Sequence, residues 1–127
     1  MIESALRSIL INDATVKAIT TRAYPVTIPQ SPVYPLILYT KITGMRDHHL
    51  RGPSGHAHPR LQVESWSKTY SEAKYLAVAI REALDGYSGT ASGVVIGSIL
   101  IDSERDAYES EIKIYRTIMD FFIWHEE

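Results

Sequence analysis

Apolar residues at Ile2, Ala5, Leu6, Ile9 and Leu10 recur at helical spacing and predict an amphipathic helix at the start of the chain. Asn12-Asp13 interrupts it, and Asp13 is placed to cap a second short helix carrying Val16 and Ile19. Pro25, Pro29, Pro32 and Pro35 follow; each lacks a donor and biases its predecessor to extended geometry, which predicts an edge strand and a loop. Residues 36–46 are β-rich. In residues 60–67 Leu61 and Val63 face one way, with Gln62, Glu64 and Trp66 facing the other. Between these strands, residues 47–59 are broken by Gly and Pro and read as a long hairpin arm or loop.

Residues 69–85 give the clearest helix: Thr69 and Glu72 match a capping box, Ala73, Leu76, Ala77, Ile80 and Leu84 form the buried stripe, and Gly86 stops it. After a Gly/Ser loop, residues 94–101 and 112–124 predict two strands, separated by an exposed turn region over the polar run from Asp102 to Glu111. The expected fold class is α+β: an antiparallel β-sheet of about five strands with helices packed on one face, and the arm between the second and third strands. In the last strand both alternating series end apolar. One helix layer covers a single face, so the other calls for a second cover, for which a neighbouring subunit is the natural candidate.

The chain has 127 residues, enough for one domain (residues 1–127) that buries a sizeable core. It has no cysteine, which excludes disulfides, thiolate metal sites and Cys nucleophiles. The formal net charge of −2 argues against a generic nucleic-acid binder. The apolar runs Ile9-Leu10-Ile11 and Phe121-Phe122-Ile123-Trp124 are too short for a signal peptide or a membrane span, so neither export nor a membrane is expected. Eight Tyr against two Phe suits half-buried surfaces such as interfaces.

Two clusters invite chemistry. His48, His49, His56 and His58 lie close in sequence, and neutral imidazoles on a hairpin can ligate Zn²⁺ or Ni²⁺; a solvated polar loop needs no such role. A metal-dependent hydrolase built on these histidines is one alternative function. Asp102, Glu104 and Asp106 alternate and would stack three carboxylates along a strand, to hold a hard cation or simply to face water. Neither Gly52-Pro53-Ser54-Gly55 nor Gly86-Tyr87-Ser88-Gly89 completes a nucleophile elbow, and no Gly-rich phosphate loop occurs. No cofactor and no catalytic residue is therefore expected. A small-ligand-binding α+β module is a further alternative, recognisable by a deep pocket within one subunit.

Charge placement says more. Lys41, Arg46, Arg51 and Arg60 against Asp47 give residues 41–60 a local +3, while residues 101–127 carry eight acids against Arg105, Lys113 and Arg116, a local −5. Two such regions are complementary across a head-to-tail contact that can close into a ring, or they pair within one subunit. The candidate interface is Met45, Arg46, His48, His49, Leu50, Arg51, His56 and His58 on the arm, with Asp102, Glu104 and Asp106 opposite.

Longer patterns carry a resemblance. Arg22-Ala23-Tyr24-Pro25, Ile28-Pro29-Gln30, Tyr34-Pro35, Gly52-Pro53, Arg60 with Gln62-Val63 and Trp66, Leu84-Asp85-Gly86, Tyr108-Glu109 and Arg116 with Asp120-Phe121 and Trp124 follow in order along nearly the whole chain. Together they resemble the tail completion proteins of long-tailed bacteriophages; Ala23 and Glu64 are mild departures, where an aliphatic residue and Asp are usual. The resemblance implies a structural protein, not an enzyme. It implies a sheet flanked by helices, assembled as a ring (typically a hexamer) at the head-proximal end of the tail tube, where the ring stops tube growth and joins the head. The implied partners are other copies of the chain, the tail tube protein and a head–tail connector protein. The implied location is the virion tail, with the host cytoplasm as the place of assembly.

Overall fold

The structure is a computed structural model that describes residues 1–44, 46–49 and 52–126, with residues 46–49 and 52–56 described by their backbone alone. Its elements in chain order are α1 (Ile2–Asn12), α2 (Ala14–Ile19), β1 (Ala23–Pro25), β2 (Leu36–Thr43), β3 (Arg46–His49), β4 (Gly52–Ala57), β5 (Arg60–Ser67), α3 (Tyr70–Leu84), β6 (Gly89–Ala91), β7 (Val94–Glu109) and β8 (Ile114–Glu126).

Local chemistry sets the helix limits. Asp13 closes α1 with its backbone N–H, which donates to the Ile9 and Leu10 carbonyls, and its carboxylate opens α2 by accepting from the Thr15 and Val16 backbone N–H groups at 3.0 Å each. The Thr69 hydroxyl accepts from the Glu72 N–H at 3.2 Å. The Glu72 carboxylate does not return to Thr69 as the capping box expects; it accepts from the Ser67 hydroxyl at 2.6 Å, tying the helix start to the end of β5. Replacing Thr69 by Ala should cost about 1 kcal/mol. In a domain of this size that lowers the melting temperature by about 4 °C, which calorimetry reads directly.

All the strands join one sheet in which β1, β2, β5 and β8 are successive neighbours. β7 pairs with the other edge of β8 from Ile96 to Glu109 and carries β6 on its first residues. The β3–β4 hairpin attaches to the end of β8 beyond β5, through His56 opposite Glu126 and Ala57 opposite His125. The expected arm is thus a hairpin of the sheet. Two expectations about the sheet need correction. Among the described residues there are eight strands rather than about five, and β1 pairs parallel to β2 because the Pro-rich segment carries the chain back before β2 begins. The polar run after Ile101 is also no turn: β7 continues through it to Glu109, and Ile112, expected in the last strand, lies exposed in the turn. Pairing with β8 and cations that meet its carboxylates hold this polar strand in place. The Ser92-Gly93 turn between β6 and β7, with positive φ at both residues, has the twist that suits a two-residue hairpin.

The helices pack on one face. Ala5, Leu6 and Leu10 of α1, Val16 of α2, and Leu76, Ala77, Ile80 and Leu84 of α3 meet Ile37, Leu61, Val63, Ile99, Met119, Phe121 and Ile123 in the main core. The opposite face is covered in part by the chain itself. Tyr24, Ile28 and Tyr34 from the Pro-rich segment pack on Leu36, Leu38, Trp66 and Ile114 as a second, smaller core.

Candidate interface

Alternation along β5, β7 and β8 projects a second set of side chains away from the helices, and register brings them into rows. Arg60 starts β5 opposite Phe122. Its guanidinium reaches Asp102 at 2.7 Å and Asp120 at 2.8 Å and lies 5.0 Å from the Phe122 ring centre. Gln62 donates to the other Asp120 oxygen at 3.1 Å. The hydrogen bond to Asp120 holds the Arg60 proton even more firmly than usual.

A second pair lies nearer the small core. Arg116 donates to the Glu64 carboxylate at 2.7 Å, meets Glu109 at 2.8 Å and stacks over Trp66 at 5.0 Å. Glu64 is buried, and that burial raises its pKa above the ordinary glutamate value even though Arg116 pulls the other way. Beyond these pairs the face turns apolar. Leu100 sits opposite Phe122, Phe122 lies 6.1 Å from Trp124, and His58 stacks on Trp124 at 6.4 Å with the rings 14° apart. Leu100 and Trp124 are 48% and 40% exposed, so this end of the face holds apolar area that the chain leaves in water.

On the helix side, β7 extends past the main core. Its Asp106 accepts from Tyr70, Lys74 and Thr117 at 3.1–3.2 Å. Burial opposes ionisation there, but the hydrogen bonds from Lys74, Tyr70 and Thr117 prevail and lower the Asp106 pKa. Glu104 meets Arg81 at 3.4 Å. Tyr115 lies between Tyr70 and Tyr108, with ring centres at 5.9 and 4.7 Å.

The residues singled out from sequence are therefore distributed as follows. Asp102, Glu104 and Asp106 lie on β7, each with a cation of its own chain, and Arg60 of the basic region is one of those cations. Arg46, His48, His49 and His56 lie on the β3–β4 hairpin, whose side chains are outside the description, as are Met45, Leu50 and Arg51 altogether. Among the described residues no three His, Asp or Glu side chains gather as a metal site. An open hollow of about 540 Å³ lies at the hairpin end of the sheet, lined by residues including Glu3, Lys41, Pro59, Val94 and His125, with Lys41 and Glu3 bridged at 3.3 Å. Sequence reading missed the Glu64–Arg116 pair and the Tyr70–Tyr115–Tyr108 cluster. The one signal for the former was that Glu64 shares a strand face with Trp66.

Comparison with curated proteins found no match. Among solved structures, a chain of the "Virion of native gene transfer agent (GTA) particle" superposes with a TM-score of 0.80 at 16% identity, over 98% of this chain and 94% of that one. That likeness is one of fold. The model of one protein family, described as "Tail completion protein gp17", matches residues 4–126. With all but the first three residues and the last inside that match, the chain belongs to the tail completion protein gp17 family.

Proposed function

We propose that this chain closes the head-proximal end of a phage-type tail tube as a ring of identical subunits and provides the surface that joins tail to head. It is a structural tail protein of a virion, and the reading requires no catalytic step. The observation that carries it is the family match over residues 4–126. The fold shared with a chain of a gene transfer agent virion supports it. So does the sheet face that keeps Leu100 and Trp124 exposed, since a ring contact would cover such area.

On this reading the β3–β4 arm reaches a neighbouring subunit or an adjoining ring. The test is electron microscopy of the purified protein, alone and mixed with tail tubes and filled heads. Rings and capped tubes that join heads are expected. A variant lacking residues 47–57 should remain folded by circular dichroism yet fail to join tails to heads. Joining by that variant would remove the arm from the account, and a wild-type protein that ignores both tubes and heads would overturn the function.

A further inference from the structure

We infer that the outer edge of β7 over residues 102–109 is the acceptor for strand β3 of a second copy, so that the sheet continues from subunit to subunit. The inference rests on the ring reading above and names the surfaces that would make the ring.

The first part of that edge is closed within the chain. β6 covers residues 94–96. Gly86 N–H then donates to the Ile99 carbonyl at 2.7 Å, Ile99 N–H to the Tyr87 carbonyl at 3.1 Å, and Ile101 N–H to the Asp85 carboxylate at 2.9 Å. From Asp102 to Glu109, among the described residues, no backbone hydrogen bond meets β7 on the side away from β8. Eight extended residues span about 27 Å, and alternate ones turn both N–H and C=O outward. Such an edge is a template for another strand unless something covers it.

Charge selects the occupant. The open stretch holds Asp102, Glu104, Asp106 and Glu109 against Arg105, a local −3. The cations that answer these acids come from β5, β8 and α3, over the faces of the sheet, and leave the edge itself free. Two copies pairing β7 to β7 would set like charges side by side, which disfavours a two-fold dimer. β3 lacks that acidic excess. It ends the sheet on another side, is paired only to β4 among the described residues, and lies in a hairpin whose residues 46–57 hold Arg46 and Arg51 against Asp47, a local +1. Each copy then offers one acidic acceptor edge and one donor strand in a weakly basic hairpin. This contact is head-to-tail, and it can close into a ring.

The absence of native cysteine permits a direct test. Asp47→Cys on β3 is combined in turn with Ser103→Cys, Arg105→Cys or Ala107→Cys on β7, in the full chain, and oxidised after assembly with and without tail tubes. At least one pair should give a ladder of covalent oligomers on a non-reducing gel, since a disulfide needs Cα atoms within about 7 Å. Single-cysteine chains should stay monomeric, and dimers of Ser103→Cys alone would mean β7–β7 pairing and overturn the inference. In parallel, hydrogen exchange of wild-type rings should slow by about tenfold or more at alternate amides within residues 102–109. Protection without any ladder overturns β3 as the donor. Protection that appears only when tubes are added assigns the edge to the tube protein and likewise overturns it. Rings and capped tubes with neither ladder nor protection remove this contact and leave the function standing, whereas a chain that neither assembles nor caps tubes removes both.

Discussion

Replacing Phe121 by Ala should destabilise the protein more than the same truncation at Thr69 or Phe122. Phe121 is fully buried on the helix-facing side of β8, with Leu61 of β5 and Ile101 of β7 as its partners across the ladders. Truncating a phenylalanine in such a place costs about 3–5 kcal/mol, because the lost transfer energy is joined by a cavity that the surrounding strands cannot close. A domain has about 5–15 kcal/mol in total, so the loss is a large fraction of it. The melting temperature should fall by about 12–20 °C. Phe122→Ala is the control: its side chain points to the other face, is only half-buried and meets the Arg60 guanidinium, so its loss should be about 1 kcal/mol. Equal losses for the two neighbours in a calorimetric scan would show that the two faces of β8 are not as different as their burial implies.

The contrast between these neighbours also marks what was legible in the sequence. Leu61 and Val63 alternate against Gln62 and Glu64, so the inward face of β5 followed from period alone. The helix at Tyr70–Leu84 followed from its stripe and its Thr69 cap, which the structure reproduces. The second half of β7 did not follow, because so polar a run reads as an exposed turn, and the alternation of Asp102, Glu104 and Asp106 alone did not outweigh that. What makes it a strand is pairing to β8 together with charges that arrive from elsewhere: Arg60 is 42 positions away from Asp102, and Lys74 is 32 from Asp106. Pattern reading is local, so it set Arg60 and Asp102 in separate basic and acidic regions and left open whether those regions pair within one subunit, as these two residues do, or across a contact. The parallel pairing of β1 escaped for a similar reason, since the prolines specify extended geometry but not direction. The outward face was half legible. Its apolar excess was visible in β8, but the cover over Leu36, Leu38, Trp66 and Ile114 comes from Tyr24, Ile28 and Tyr34 of the same chain. That leaves the Leu100–Trp124 end as the exposed part.

Replacing Arg116 by Met should destabilise the protein in a manner that depends on pH. Glu64 is only 5% exposed, and Arg116 is the cation bonded to it. Removing one partner of a buried pair and leaving the other charged costs about 3 kcal/mol. Burial already raises the Glu64 pKa in the native chain, and losing Arg116 removes the strongest influence that lowers it. The folded variant therefore holds the Glu64 proton more tightly than the unfolded chain does. A carboxyl raised in this way costs stability in full above its folded pKa and regains it as pH falls toward the unfolded value. The variant should thus be weakest at about pH 8 and recover part of the loss by about pH 5, over a window reaching closer to neutrality than in the wild type. Asp106 and Glu3, whose pKa values are lowered, act in the opposite sense, but only below the ordinary carboxylate range, where their protonation removes stability. Adding Glu64→Gln to the Arg116→Met chain should restore most of the loss at about pH 8 and flatten the profile, because no buried charge is left to compensate. Urea midpoints measured across that range decide the matter: a loss that is equal at every pH and survives the Glu64→Gln change would mean that Arg116 acts through its packing over Trp66 rather than through its charge.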